Sequence, residues 1–194
     1  MPEVVRTRSQ DVRAALINAA IVVLERDGHP GLTVRAVSQE ANVAPMGVYN
    51  HLADKRGLEL AIIDAGFAEL RDALTGVTVA DAQQRMYESG QTYRRIAKAH
   101  PQVYRLMFGP NLGDRGLSNP ALAFGALVDI IMYAQVAGIL RRGDPQVMAK
   151  NVWASIHGAV MLELETARTA GDDTDWDSEY HELLAMIGRG LAPT

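Results

Sequence analysis

Cysteine is absent from the 194 residues, which excludes a disulfide framework, a thiolate metal site and a cysteine nucleophile. The opening Met1 to Gln10 is polar and lacks the apolar stretch of a signal peptide, so a cytoplasmic location is expected. Only Ala121 to Leu140 is apolar enough to raise a membrane question. Asp129 and Gln135 interrupt it and no second span exists, which favours a buried helix of a soluble bundle. Internal repeats and low-complexity tracts are also missing. What is present is a chain that is 48% hydrophobic and 22% charged, enough to bury a core, with a length suited to one domain or a small domain joined to a larger one.

Positive charge is scarce overall, with 19 Lys and Arg against 23 Asp and Glu. The balance is uneven: Met1 to Arg56 holds a net +1, and Gly57 to Thr194 a net −5. An acidic chain cannot coat nucleic acid indiscriminately, because counterion release needs clustered cations facing phosphates. A small N-terminal module could still do so with its cations on one face.

Nearly every segment repeats its apolar residues with a helical period. Arg8 to Asp27 puts Val12, Leu16, Ala19 and Val23 on one stripe, and Gly28 with Pro30 ends it. Thr33 can cap a short helix from Val34 to Glu40, Pro45 suits the first position of a third, and Asp54 can cap a fourth carrying Leu58, Ile62 and Ala65 inward. Gly76 to Val79 is the only strand-like run, too short to require a sheet. Further helices are expected at 80–100, 101–108, 120–140, 145–169 and 178–189, with loops at 109–119 and 171–177. The fold class is therefore all-α, with about nine helices.

Leu32 to Leu58 reads as a helix-turn-helix. Val34, Val37 and Ala41 line the inner face of its first helix, and Asn42 tolerates the left-handed conformation a tight turn needs. Val43, Val48 and Leu52 fill the gap between the helices. The second helix then shows Pro45, Met46, Gly47, Tyr49 and Asn50 outward, with Thr33, Arg35, His51 and Lys55 around them. This set suits a DNA duplex. Thr33 and Lys55 at helix starts can clamp phosphate, Tyr49 and His51 can donate to phosphate oxygens, and Gly47 permits close approach. Met46 can meet a thymine methyl, Asn50 can pair with adenine, and Arg6 and Arg8 can reach an adjacent groove or backbone.

Residues 8–58 resemble the N-terminal domain of the TetR family of bacterial transcriptional regulators, through Gly28, Leu32-Thr33-Val34, Val37, Ala41, Val43, Tyr49, His51, Lys55 and Leu58. The family usually carries Gly at Asn42, Ser or Thr at Ala44 and Phe at Leu52. The resemblance implies a three-helix DNA-binding domain at 1–54 and a larger helical domain at 55–194 for ligand binding and dimerisation. Its partners would be double-stranded DNA, a small-molecule effector and a second copy of the chain.

Within the larger part, Trp153-x-x-x-His157-Gly158 with Leu162-Glu-Leu164 resembles one branch of that family. His157 is read first as a core or interface histidine, and second as a ligand contact. Family architecture places the last two long helices at the dimer interface, which implies Trp153, Ile156, Val160, Leu164, Leu183, Leu184 and Ile187 there. Tyr87, Tyr93, Tyr104, Met107, Phe108, Met132 and Tyr133, with Trp153 and His157, are candidate walls of an apolar effector pocket, although each singly also fits an ordinary core position.

Enzyme signatures are missing: there is no Gly-x-Ser-x-Gly, phosphate-binding loop or His-Glu-x-x-His. Gly109-x-x-x-Gly113-x-x-Gly116 does not follow a strand, and Asp173 to Glu179 fails the EF-hand pattern at Ser178 and Leu184. No catalytic residue, metal ligand or cofactor is expected. The function expected is a ligand-responsive regulator, most naturally a repressor of a palindromic operator, released by an apolar or amphipathic ligand. A helical small-molecule carrier, or an activator or co-regulator without operator binding of its own, are the alternatives.

Overall fold

Nine α-helices and no strand occur among the described residues of the computed structural model, which are 9–109, 116–166 and 173–193, with side chains from 11. They are α1 Ser9–Gly31, α2 Val34–Glu40, α3 Pro45–Leu52, α4 Lys55–Thr75, α5 Ala82–Ala99, α6 Pro101–Met107, α7 Asn119–Val136, α8 Pro145–Thr166 and α9 Trp176–Leu191. Arg6 and Arg8 lie outside the described residues, as do 110–115 and the end of the helix expected to reach Thr169.

The helices divide between two compact units. In the first, α1 buries Leu16, Ala20, Val23 and Leu24 completely or nearly so; Leu32 just after it, Val37 of α2, Val48 and Leu52 of α3, and Leu58 and Ile62 of α4 are buried as well. Each such Leu, Ile or Val side chain removed from water contributes roughly 1.5–3 kcal/mol. Gly28 breaks α1 at φ 70 and ψ 179, so the regular helix stops at Asp27. Thr33 and Asp54 cap as their positions suggest: Thr33 Oγ1 accepts the Ala36 N–H at 3.1 Å, and Asp54 Oδ1 accepts that of Gly57 at 2.9 Å.

The first unit does not end at residue 54. It continues to Phe67 and takes in the described residues from His100 to Ser118. Chemistry explains the return of α6. Glu25 of α1 accepts the N–H groups of Gln102 and Val103, at 3.0 and 2.9 Å, and so satisfies two free donors at the start of α6. On α4, Ala65 is only half-buried. The buried Gly66 lies against Met107 and Val103 so closely that a Cβ would collide with them.

The second unit gathers the described residues of 68–99 and 119–194. Asp81, Asp144 and Asp175 cap α5, α8 and α9 through Gln84, Gln146 and Ser178. Ile131, Ala134, Leu140, Met148, Ala149 and Val152 form its core, with Phe124, Leu127 and Ile187 against them. α7 ends at Val136, short of the expected Leu140, because Gly138 adopts φ 76 and lets the Ile139 N–H return to the Ala134 carbonyl at 3.1 Å. By length and hydropathy α7 could cross a membrane, and only 22% of it is buried. One face meets α5 and α8, while Leu122, Met132 and Val136 face outward, so it is not the wholly buried helix the sequence suggests.

Ile156 and Val160 of α8, expected at a dimer interface, are buried within their own chain. The stripe they share with Val152 turns inward. The opposite face carries Val147, Ala154, Gly158 and Leu162, all exposed. Of the remaining expected interface residues, Ile187 packs on the unit's core, Leu184 sits against Gly90, and Trp153, Leu164 and Leu183 are half-buried.

Candidate nucleic-acid interface

The helix-turn-helix is built by its turn. Asn42 adopts φ 52, the left-handed conformation expected of it, and the Val43 N–H returns to the Ser38 carbonyl at 2.9 Å. Ala44 supplies no side-chain cap to α3, and Pro45 occupies the first turn, where its lack of an N–H costs nothing. Val48 and Leu52 are buried and fix one side of α3. The opposite side therefore faces solvent: Met46 is 66% and Tyr49 51% exposed, and Pro45 and Asn50 are exposed as well. Gly47 and His51 are half-buried at the edges of that face.

Around this face the structure gives the expected clamp residues additional duties. Thr33 Oγ1 already accepts from Ala36, which leaves its own hydroxyl proton for an outside acceptor. Lys55 Nζ donates to the His29 carbonyl at 3.1 Å, using one of three ammonium donors. The His29 ring pairs with Glu59 at 2.7 Å. Arg35 is exposed on α2.

One feature had no anticipation in the sequence. Ala53, between α3 and α4, adopts φ 60 and ψ −75, and the Asp54 N–H bonds to the Leu52 carbonyl at 2.8 Å. This is a γ-turn of the rare, strained kind. Gly57 presses on the same Leu52 carbonyl, where any Cβ would overlap it.

The candidate pocket residues separate into groups. Tyr104, Met107 and Phe108 belong to the first unit, where Phe108 makes edge contacts with Tyr104 and Phe67, at 5.0 and 5.3 Å between centroids. In the second unit Tyr93, Trp153 and His157 meet: Tyr93 Oη accepts the Trp153 indole N–H at 3.2 Å and lies 3.2 Å from His157 Nδ1. Burial lowers the His157 pKa below its ordinary 6.5, because the charged imidazolium is the form desolvation penalises. Phe124 packs edge-on to Trp153. Tyr87 pairs instead with His181, Met132 is largely exposed, and Tyr133 donates to the Ala80 carbonyl at 2.6 Å beneath the Arg85 guanidinium.

An ion cluster around the buried Arg94 and Glu163 of the second unit was not among the expected site residues. Arg94 forms a two-pronged pair with Glu163, at 2.6 and 2.7 Å, and binds Asp177 at 2.7 Å; Lys98 also reaches Glu163 at 2.7 Å. Desolvation on its own would raise the Glu163 pKa, but the hydrogen bonds from Arg94 and Lys98 outweigh it and hold the carboxyl below its ordinary 4.5. The signal was available: Glu163 stands three residues after Val160, on the buried stripe of α8, where an unpaired charge could not remain.

An outward-facing second helix on a helix-turn-helix core, in a chain with a separate helical unit, is the build of a DNA-binding transcriptional regulator. Comparison with known proteins agrees. Residues 86–187 match the tetracyclin repressor-like C-terminal domain. An uncharacterised helix-turn-helix-type transcriptional regulator of Mycobacterium tuberculosis is 24% identical over 184 residues, 92% of this chain and 81% of that one. Among solved structures, a Rhodococcus sp. RHA1 protein of unknown function superposes with a TM-score of 0.83 at 26% identity, covering 99% and 100% of the two chains. A TetR-family regulatory protein, also from Rhodococcus RHA1, does so at 0.64 and 19% identity over 94% and 98%, a likeness of fold. The chain belongs to the TetR family of transcriptional regulators.

Proposed function

We propose that the chain is a ligand-responsive repressor that binds a palindromic operator as a homodimer in the cytoplasm and is released by a small apolar or amphipathic effector. The observation that carries this reading is the exposed α3 face of Met46, Tyr49 and Asn50, held outward by buried Val48 and Leu52. In this reading Asn50 and Met46 meet base edges. Thr33, Arg35, Tyr49, His51 and Lys55 hold phosphates, and Arg6 and Arg8 extend the grip.

The partner copy is assigned to the outward face of α8, with Val147, Ala154, Gly158 and Leu162, and to Met186 of α9. These are apolar and small side chains left exposed on one chain. Two-fold symmetry would then set the recognition helices roughly 34–36 Å apart, or a multiple of it, for successive major grooves. In this reading the effector lies in the surroundings of Tyr93, Trp153 and His157, and the Trp153, His157 and Gly158 motif is that of a branch of the family to which the chain would belong. Release follows when effector favours dimers whose recognition helices are wrongly spaced.

Selection of protein-bound genomic fragments tests the reading. Wild type should enrich fragments sharing one palindrome, and Tyr49→Ala should enrich them far less. No enrichment by wild type would refute operator binding.

A further inference from the structure

The joint between α3 and α4 is built without slack. On one side Leu52 is buried in the core, and on the other Leu58 is fully buried. Between them the Ala53 N–H bonds to the Tyr49 carbonyl at 3.1 Å, the Asp54 N–H to the Leu52 carbonyl at 2.8 Å, and the Leu58 N–H to the Asp54 carbonyl at 3.0 Å. The Asp54 carboxylate holds the Gly57 N–H, and Gly57 closes on the Leu52 carbonyl from behind. The turn is possible only because Ala53 accepts φ 60 and ψ −75. Glycine would take that conformation at lower energy. The Ala53 side chain is exposed. What a Cβ supplies here is restriction: it removes most of the alternative angles through which α3 could swing.

We propose that Ala53 is a positioning residue for operator recognition, its strained turn fixing the pitch of α3 relative to the start of α4. The strain lowers the stability of the fold, and in return the recognition helix is aimed before DNA arrives. The inference rests on the operator reading above. A residue with a merely structural role would move stability and affinity in the same direction; a positioning residue under strain moves them in opposite directions.

The test uses the full-length protein and two duplexes: one selected by wild type from a random-sequence pool, and a scrambled version of it. Ala53→Gly should raise the melting temperature by about 2–4 °C. It should also weaken binding to the selected duplex roughly five- to thirty-fold, since two joints per dimer gain glycine's freedom. Binding to the scrambled duplex should stay within about twofold, because phosphate contacts tolerate a wandering helix. Ala53→Ser keeps a Cβ and should bind the selected duplex like wild type. Selected-duplex affinity of Ala53→Gly within twofold of wild type would overturn the inference and leave the operator reading standing. So would a joint fall of affinity and melting temperature, or an equal loss on both duplexes. A wild type that selects no duplex would overturn the operator reading and this inference with it.

Discussion

Replacing Glu163 by Leu would strand the Arg94 guanidinium, and the size of the effect follows from the geometry. The two side chains are 8% and 5% exposed and share two hydrogen bonds of 2.6 and 2.7 Å. Breaking such a pair from one side costs on the order of 3–5 kcal/mol, mostly through the charge left behind. Arg94 keeps Asp177, but that carboxylate is 82% exposed and compensates weakly, so the lower end is expected, about 3 kcal/mol. For a chain of this length that lowers the melting temperature by roughly 6–12 °C. The double variant Arg94→Met, Glu163→Leu removes both charges and should come within about 1 kcal/mol of wild type, because desolvation offsets most of the attraction in the native pair. Thermal and urea unfolding followed by circular dichroism would measure the cycle. The acid limb supplies a further check. The folded carboxyl titrates below 4.5, so the folded state binds fewer protons than the unfolded one. Its stabilisation is complete above that value and is lost as pH falls through the depressed pKa. Glu163→Leu should lack that component of acid sensitivity. A single-variant loss under about 1 kcal/mol, or a double variant as unstable as the two singles added, would refute the reasoning.

Three other outcomes can be measured. Gly57→Ala forces a Cβ onto the Leu52 carbonyl and should destabilise the first unit by about 1–3 kcal/mol or more; amide exchange of α3 and α4 in the variant would show it, and unchanged protection would contradict the close approach. Burial holds the His157 pKa below 6.5, so the unfolded state takes up its proton first and stability falls as pH drops from 6.5 toward the depressed value; His157→Asn should flatten that part of the stability profile. Lys55→Ala should weaken operator binding about equally across sequences and reduce the salt slope by roughly one unit per subunit, whereas Asn50→Ala should change base preference. An unaltered salt slope with lowered stability would reduce Lys55 to its bond with His29.

Local chemistry was the part of the fold legible in the sequence. Thr33, Pro45 and Asp54 act through their own backbone within three residues, and Asn42 and Gly28 through their own dihedrals, so each could be read from position alone. Which way a helix turns was harder. The apolar residues of α8 surround much of it, and periodicity alone could not tell the stripe facing the core from the one facing outward; the charged Glu163 marks the inner one. Long-range pairings left little trace. Nothing near Glu25 points to α6, 77 residues away, and Ala53 has no composition of a strained turn. The candidate interface was readable because Tyr49, His51 and Lys55 stand at fixed offsets from Leu32, while the aromatic residues further along carry no spacing to separate the Tyr104 group from the Tyr93 group.

The return of α6 to the helices of the N-terminus bears on how the protein is made and rebuilt. A ribosome that has emitted α1 to α3 has not yet supplied the partner of Glu25, so the N-terminal unit can finish only after a long excursion through α5, at a considerable loop-closure cost. Anyone grafting this reading head onto another sensor would have to carry two pieces of chain, since one cut after α3 or α4 leaves the Glu25 carboxylate and the face of Gly66 bare.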